Sequence, residues 1–296
     1  MNLTRWRDTG LRFEFRSHSI FYQDAAGTAG QPALLLIHGF PTSSWDWAGL
    51  WAPLRAHCGR VVAPDMLGFG YSDKPPRHTY SLLEQADLHE ALLEQLGIGD
   101  VHVLAHDYGV SVAQELLARH QERGGRGLKL RSVALLNGGL FPETHYPTVS
   151  QRLLRSPLGG IMVRLMHERR FSKAFGEVFG PKTKPSDIEM HDFWTLVSGN
   201  GGALAMRRLI RYIDERRLRR ERWVGALQTT SVPLRLINGP VDPVSGAHMV
   251  VRYRELVPKA DVVSLDGIGH YPQVEAPEAT LRALLEFHER LRKVDA

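Results

Sequence analysis

Short apolar runs and helix-like patterns alternate along most of this chain. The runs are rich in Val, Leu and Ile, and most are followed by stretches whose apolar residues recur every three to four positions. Continuous apolar runs of this length are typical of strands in parallel sheets that helices cover on both faces. The predicted strands are 33–37, 60–64, 101–105, 130–136, 234–237 and 262–265. Residues 11–23 predict an antiparallel hairpin at the sheet edge, and residues 280–291 predict a closing amphipathic helix.

The alternation is interrupted once, between Gly139 and about Leu227. This segment has no strong strand pattern but contains helical stretches at 149–167, 185–198 and 202–220, separated by Gly and Pro breakers. An insertion here would lie over the C-terminal ends of the strands, where open α/β sheets bind ligands. We therefore predict an α/β fold with a mostly parallel sheet. Residues 1–139 and 227–296 would form its core, and residues 140–226 a helical cap.

Composition and cysteine content describe an ordinary globular protein. The chain has 296 residues, 43% hydrophobic and 23% charged, so it can bury a large core. Its single cysteine, Cys58, excludes an internal disulfide and lacks neighbours with metal-ligand spacing. We find neither a signal-peptide pattern nor an apolar run long enough to span a membrane. These features predict a soluble cytoplasmic protein without a bound metal.

The formal net charge of +5 is partly concentrated in an arginine-rich stretch at 207–222. We interpret this stretch as a solvated helix laced with ion pairs between residues four positions apart. An anionic-lipid or nucleic-acid surface is the alternative, but the stretch lacks interleaved exposed aromatic residues or a known binding motif. We therefore expect no nucleic-acid partner, and the sequence leaves membrane-surface contact and the oligomeric state open.

Asp107 lies where a predicted strand meets a predicted helix, in the stretch LAHDYGVSV. Small Ala105 and Gly109 flank it with the spacing of a nucleophile elbow, a tight turn that lifts its central side chain over the sheet. Asp is also a preferred N-cap, so this segment alone allows a purely structural interpretation.

The loop His38-Gly39-Phe40-Pro41 follows the strand 33–37 and is a candidate oxyanion-hole loop. The backbone N–H groups of Phe40 and Tyr108 would converge there on an oxygen that becomes negative during reaction. A simple glycine-proline turn would explain these four residues equally well in isolation.

Asp242 and His270 each follow a later strand, in GPVDP and GIGHYPQ. The order nucleophile, acid, histidine is that of α/β-hydrolases, which predicts a triad of Asp107, Asp242 and His270. The other acid position of that fold, after the strand 130–136, is filled by Asn137 and Gly138, which strengthens Asp242.

These motifs give the chain a resemblance to a known family. HGFP, DMLGFGYSDKP, HDYG, GPVDP and GIGHYPQ resemble the epoxide hydrolase and haloalkane dehalogenase branch of the α/β-hydrolase superfamily over essentially the whole chain. LNGGLFPETH, VFGP and RWVGAL are similar to the mesoderm-specific transcript (MEST) group of that branch. The resemblance implies a helical cap and no cofactor. It also implies membrane association in the vertebrate members, although this chain lacks their apolar anchoring segment.

An aspartate nucleophile predicts a particular chemistry. A carboxylate is ionised near neutral pH and can displace a leaving group from saturated carbon without a base. The resulting ester would be hydrolysed by water that His270 activates, while Phe40 and Tyr108 hold the oxyanion. We expect epoxide opening or halide displacement, and ordinary esterase action is disfavoured.

The residues at two positions favour an epoxide over a haloalkane as the substrate. Dehalogenases of the resembled branch commonly place Trp after the nucleophile and Asn after His-Gly, whereas this chain has Tyr108 and Phe40. Epoxide hydrolases use cap tyrosines as donors, which makes Tyr212 the first candidate and Tyr146 the second. The dehalogenase-like loop DMLGFGYSDKP keeps haloalkane dehalogenation open as the alternative.

The substrate is expected to be a small apolar molecule. Candidate pocket residues are His38, Trp47, Trp194 and Tyr271, although aromatic residues at such positions are more often simply core. The chain could instead be a ligand-binding or signalling protein that has a hydrolase fold and turns over little substrate. That hypothesis does not explain why Asp107, Asp242 and His270 are all present.

Overall fold

Eight strands form one sheet in a computed structural model that describes residues 1–295. The strands are β1 (Leu11–Phe15), β2 (His18–Ala25), β3 (Ala33–Ile37), β4 (Val61–Pro64), β5 (Asp100–Ala105), β6 (Lys129–Leu135), β7 (Leu234–Asn238) and β8 (Val262–Ser264). Their order across the sheet is β1-β2-β4-β3-β5-β6-β7-β8. The hairpin β1-β2 joins β4 antiparallel, and the remaining neighbours pair in parallel. The predicted α/β fold and its edge hairpin are confirmed.

The core helices cover both faces of this sheet. They are α1 (Leu3–Thr9), α2 (Ala48–His57), α3 (Leu82–Gln95), α4 (Tyr108–Glu122), α12 (Ala247–Leu256), α13 (Pro272–Glu275) and α14 (Pro277–Asp295). One apolar cluster joins the sheet to α3, α4 and the inserted helices, and a second joins the opposite face to α1, α2 and α14. Helix α1 was not predicted, and it is held by Trp6, which packs edge-on against Trp45 and Trp51.

The insertion between β6 and β7 is helical, as predicted. Its helices are α5 (Val149–Arg155), α6 (Gly159–Arg164), α7 (Glu168–Gly176), α8 (Asp187–Ser198), α9 (Gly202–Leu209), α10 (Tyr212–Leu218) and α11 (Arg220–Thr229). The stretch 149–167, expected as one helix, breaks at Ser156 and Pro157, because proline cannot continue a helix from its preceding turn. The stretch 202–220 also breaks, after Leu209, where no Gly or Pro marks the boundary.

None of the helices within residues 1–295 is both long enough and apolar enough to cross a lipid bilayer. The same residues contain no cluster of His, Cys, Asp and Glu side chains with the geometry of a metal site.

Candidate active site

Asp107 occupies a strained turn between β5 and α4. Its backbone angles are φ 43° and ψ −104°, in a region that residues with a Cβ rarely adopt, and its side chain does not cap the helix. A Cβ on Gly109 would lie 2.5 Å from the Ile37 carbonyl oxygen, and one on Gly39 would lie 2.9 Å from the Asp107 Cβ. The turn therefore requires glycine at both places. The N-cap interpretation of Asp107 does not describe this geometry.

The Asp107 carboxylate is buried, with 2% of the residue exposed. The Phe40 N–H donates to Oδ2 at 3.0 Å, and Oδ1 lies 3.8 Å from His270 Nε2. Tyr108 is the first residue of α4, where backbone N–H groups have no intrahelical acceptor. The loop after β3 thus holds one carboxylate oxygen, and the other oxygen faces the histidine.

Asp242 orients the histidine. His270 Nδ1 donates to Asp242 Oδ2 at 2.7 Å. Ser245 donates to the same oxygen through its N–H at 3.1 Å and its hydroxyl at 2.7 Å, and the Val244 N–H donates to Oδ1 at 2.7 Å. Burial raises the pKa of Asp242, but the attraction of His270 and these hydrogen bonds outweigh it and lower the pKa to about 2. Asp242 therefore stays ionised.

His270 lies between two carboxylates. Burial lowers the pKa of its imidazole, whereas the charge and hydrogen bond of Asp242 and the charges of Asp107 and Glu275 raise it, with a net result of about 9. The resting site therefore favours an imidazolium. The structure brings together the three residues that the sequence predicted as a triad.

Three further residues hold this arrangement, and the sequence did not single them out for that role. Asn137 donates through Nδ2 to Asp242 Oδ2 at 2.9 Å and accepts from the Gly239 N–H at 2.6 Å, which ties β6 to the acid loop. His106 donates to the His270 carbonyl at 2.7 Å. Glu275 accepts from the backbone N–H groups of the loop before and after His270 and from the cap. Its donors are Gly269, Tyr271, Gly180 and Thr183.

Arg216 was also missed. It belongs to the arginine-rich stretch that we interpreted as solvated, yet only 2% of it is exposed. From α10 it donates to the Asp107 carbonyl and to the Ser111 hydroxyl, both at 2.7 Å, and its Nη2 lies 3.8 Å from Asp107 Oδ1. Elsewhere in the stretch the expected solvated surface is found, for example at Arg211 and Arg217, which are exposed.

The two candidate tyrosines differ in position. Tyr212 is buried over the nucleophile loop, with its ring 5.0 Å from that of Tyr108 and 5.7 Å from that of Phe40. Its hydroxyl has no hydrogen-bond partner in residues 1–295. Tyr146 is 56% exposed and stacks on His248 at 4.3 Å. Neither tyrosine is among the residues that line the cavity between the cap and the sheet, but Tyr146 lies on the surface, which does not suit a donor to a buried substrate and corrects the expectation for Tyr146.

A cavity of about 480 Å³ lies between the cap and the sheet. Its base is formed by Phe40, His270 and Tyr271, so it ends at groups in direct reach of the Asp107 carboxylate. Its walls are mostly apolar side chains of the cap. They include Leu153, Leu154, Leu158, Ile161, Met162, Leu165, Met166, Phe171, Phe175 and Met206.

The predicted pocket residues separate into one wall residue and three supporting residues. Tyr271 lines the cavity, and its hydroxyl donates to the Phe40 carbonyl at 3.2 Å. His38 is buried behind the oxyanion loop, where its Nε2 accepts from the Met66 N–H. Trp47 belongs to the cluster on the sheet face opposite the cap, and Trp194 packs on Phe171 behind the wall. The expectation that His38, Trp47 and Trp194 touch substrate is corrected accordingly.

Known proteins resemble this chain over nearly its whole length. A family model for the alpha/beta hydrolase fold matches residues 32–160. The mesoderm-specific transcript protein of Mus musculus is 45% identical over 293 residues, covering 96% of this chain and 87% of that protein. LipZ of Mycobacterium tuberculosis strain H37Rv, which is named as a hydrolase, is 40% identical over 286 residues, covering 97% and 98% of the two chains.

Among solved structures, the haloalkane dehalogenase DbeA from Bradyrhizobium elkani USDA94 matches with a TM-score of 0.80. The match covers 96% of this chain and 99% of DbeA, at 22% identity. At this level of identity the likeness shows the shared fold.

Proposed function

This chain belongs to the mesoderm-specific transcript group of the α/β-hydrolase superfamily, and on that premise we propose that it is a hydrolase with Asp107 as its nucleophile. The observation that carries the proposal is the set of contacts around one carboxylate. Phe40 N–H holds one oxygen at 3.0 Å, while the other oxygen lies 3.8 Å from His270, which Asp242 orients at 2.7 Å. This arrangement suits attack by an ionised carboxylate followed by hydrolysis of the ester.

In the first step, Asp107 Oδ1 forms a bond to a saturated carbon of the substrate, and the bond from that carbon to the leaving atom breaks. For an epoxide, the electron pair moves to the ring oxygen, which takes a proton from the Tyr212 hydroxyl. Burial and the charge of Asp107 raise the pKa of Tyr212, so this hydroxyl is protonated at neutral pH and available as a donor.

Before the second step, the ester has removed the Asp107 charge, and the proton of His270 passes through water to the Tyr212 phenolate. Water then attacks the Asp107 carbonyl carbon, and the neutral His270 accepts a proton from it. The oxyanion would be held by the Phe40 N–H and the Tyr108 N–H. Collapse breaks the bond between the carbonyl carbon and Oδ1, His270 protonates Oδ1, and a diol leaves. The proton of the resulting Asp107 carboxylic acid passes to His270, which restores the carboxylate and the imidazolium. The water oxygen stays on Asp107.

Epoxide opening is the form of this chemistry that the donors support best. The Phe40 side chain carries no donor, and the Tyr108 side chain is buried. Neither can hold a halide in the manner of a side-chain N–H. The ring of Tyr212 packs against the rings of both residues, and its buried hydroxyl has no partner among residues 1–295, which suits a donor to an oxygen that becomes basic as the epoxide opens.

The cavity indicates an apolar substrate. Its volume of about 480 Å³ is lined mainly by Leu, Ile, Met and Phe side chains of the cap, and sites of this size bind small molecules mostly through apolar contact. Leu158, Ile161 and Leu165 line the cavity and are also more than half exposed, so the apolar surface continues to the outside. We infer a hydrophobic epoxide that enters between α5 and α6.

A single turnover in water enriched in ¹⁸O tests the covalent mechanism. With styrene oxide and 1,2-epoxyoctane as probes, we expect the label in the Asp107 carboxylate, detected by mass spectrometry of the proteolytic peptide. In the His270→Gln variant, the alkyl-enzyme should accumulate as an added mass equal to the epoxide. Asp107→Ala is the inactive control. Turnover that leaves the Asp107 peptide unlabelled would refute a covalent ester.

Haloalkanes form the comparison panel. Halide release from 1-bromohexane at a rate that exceeds diol formation from the epoxides would assign the chain to haloalkane dehalogenation instead. If no probe of either panel is processed, and Asp107→Asn leaves ligand affinity unchanged, the ligand-binding hypothesis would replace both enzymatic ones.

A further inference from the structure

Arg216 is the buried arginine of a stretch in which the other arginines are exposed or partly exposed. Its guanidinium donates to the Asp107 carbonyl and the Ser111 hydroxyl, and its Cζ lies 4.5 Å from the centroid of the Tyr212 ring. It approaches the site from the cap, while Asp107 and Ser111 belong to the core elbow and α4. Burial of a guanidinium has a large desolvation cost in free energy, so this position requires a specific hydrogen-bonding or charged partner.

The partner in the resting site is the nucleophile. Arg216 Nη2 lies 3.8 Å from Asp107 Oδ1, and both side chains are almost completely buried. Ester formation converts the Asp107 carboxylate into a neutral group, which leaves the guanidinium without its counter-charge. A buried cation that loses its anion is destabilised, so the site then favours any new negative charge near Arg216.

Unused hydrogen-bonding groups surround the same guanidinium. Arg216 Nη1, both ring nitrogens of His145 and the Tyr212 hydroxyl are buried and have no hydrogen-bond partner within the described residues. A Cβ placed on Gly139 would lie 2.5 Å from Arg216 Nη1 and 3.1 Å from His145 Nδ1, so these two nitrogens flank one point. Burial and the nearby Arg216 lower the pKa of His145 to about 3, so the imidazole is neutral there. The guanidinium is the cation of this group.

We propose that Arg216 stabilises the negative charge that develops opposite Asp107 when the bond to the leaving atom breaks, and so acts as a cap-borne counter-charge for the leaving group. This inference rests on the proposed function, whose chemistry creates that charge. As the Asp107 carboxylate loses its charge, an equal charge appears on the departing oxygen or halide, or on Tyr212 after it has donated its proton. Arg216 exchanges one partner for the other, and the buried charge stays balanced through the step.

Bromide binding tests the exchange of partners without any turnover. Asp107→Asn removes the carboxylate charge in the same way as the ester does. Bromide should therefore bind Asp107→Asn at least tenfold more tightly than the wild-type protein, as measured by calorimetry at constant ionic strength. The gain should disappear in Asp107→Asn/Arg216→Gln and persist in Asp107→Asn/Arg217→Gln, in which an exposed neighbouring arginine is changed. Arg216→Lys, which keeps the charge with fewer donors, should retain part of the gain if Arg216→Gln does not fold.

Two outcomes would overturn the proposal: no gain in bromide affinity in Asp107→Asn, or a gain that survives the loss of Arg216. Neither depends on the natural substrate, so a failure here is distinguishable from a failure of the epoxide mechanism.

The rate of alkyl-enzyme formation tests the role of Arg216 in the first step of the reaction. In the His270→Gln background, where ester formation is isolated, Arg216→Gln should slow the appearance of the alkyl-enzyme at least 100-fold with styrene oxide. Arg217→Gln should leave the rate unchanged, and guanidinium ion added to an Arg216→Ala variant should restore part of it. Equal rates in the Arg216→Gln and Arg217→Gln variants would refute a role in the first step.

Discussion

Replacing Asp107 by Asn should lower the pKa of His270, because the imidazolium then loses one of its two facing carboxylates. The Oδ1 atom of Asp107 lies 3.8 Å from His270 Nε2, and both groups are buried. At an effective dielectric constant of about 20, unit charges at this distance attract each other by about 4 kcal/mol, equivalent to about three pH units in pKa. The pKa of about 9 in the wild-type site should therefore fall to about 6 in the variant.

Asp107 also loses its negative charge during the proposed reaction, so the pKa of His270 in Asp107→Asn reports on the ester intermediate. The Asp107 ester carries no charge, so its formation should convert His270 from an imidazolium into a neutral base close to neutral pH. A pKa near the working pH is what a general base requires. The resting enzyme would thus hold the histidine protonated and release it for base catalysis once the ester exists.

Histidine NMR provides the assay. The signals of ¹³C-labelled histidines are followed between pH 5 and pH 10, and His270 is assigned by the resonance that disappears in His270→Gln. Asp187→Asn, which removes an exposed carboxylate on α8, is the matched control and should leave the His270 titration unchanged. If the pKa of His270 in Asp107→Asn stays within half a unit of the wild-type value, the electrostatic coupling of the two residues is refuted.

The free energy of unfolding should also depend on pH through His270. The pKa of His270 is higher in the folded chain than its ordinary value of about 6.5, so its protonation stabilises the fold. This contribution is fully present below about pH 6.5 and is lost as the pH rises through about 9. Chemical denaturation across this range should show the loss in the wild-type protein, and it should be smaller in Asp107→Asn.

Three further predictions follow from individual contacts. Tyr212→Phe should slow alkyl-enzyme formation from styrene oxide about 100-fold or more because it removes the donor hydroxyl, whereas Tyr146→Phe at the surface should not; stopped-flow rates decide. Glu115→Ala should lower the free energy of unfolding by about 3 kcal/mol, because a buried carboxylate that accepts from Arg119, Arg222 and Trp223 is lost; an unchanged urea midpoint would contradict this. Glu275→Gln should destabilise the His270 loop by about 1–3 kcal/mol, because its amide nitrogen would face backbone N–H donors, with faster amide hydrogen exchange at Gly269 as the readout.

The order of chemistry-bearing residues along the chain was enough to predict much of the candidate site. Asp107, Asp242 and His270 each follow a strand of a parallel sheet, and the carboxyl ends of such strands meet at one edge. Continuous apolar runs likewise predicted the buried strands, because a strand covered on both faces has no polar side. The cap was predicted from the place where the strand pattern stops.

Only the tertiary structure decided which side of each element faces the site. Arg216 and Arg217 belong to one arginine-rich helix, and their different burial depends on how α10 packs against the elbow and α4. Trp47 ends a short 3₁₀ turn after β3, and such a turn does not fix which side of the sheet its last side chain faces, so its place in the cluster on the α14 side was not predictable. The sequence ranked Tyr212 ahead of Tyr146 as a donor, but only the fold shows that Tyr146 is exposed and Tyr212 buried.

The physical reason is the range of the interactions involved. Hydrophobic period, turn chemistry and the order of residues are local properties, and they predict the strands, the elbow and the succession of nucleophile, acid and histidine. The 2.7 Å contact of Arg216 with the Asp107 carbonyl joins residues 109 positions apart, and the contacts of Glu275 join the cap to the histidine loop. Such contacts exist only once the sheet and the cap have packed, so the charge that faces the nucleophile could be seen only in the folded chain.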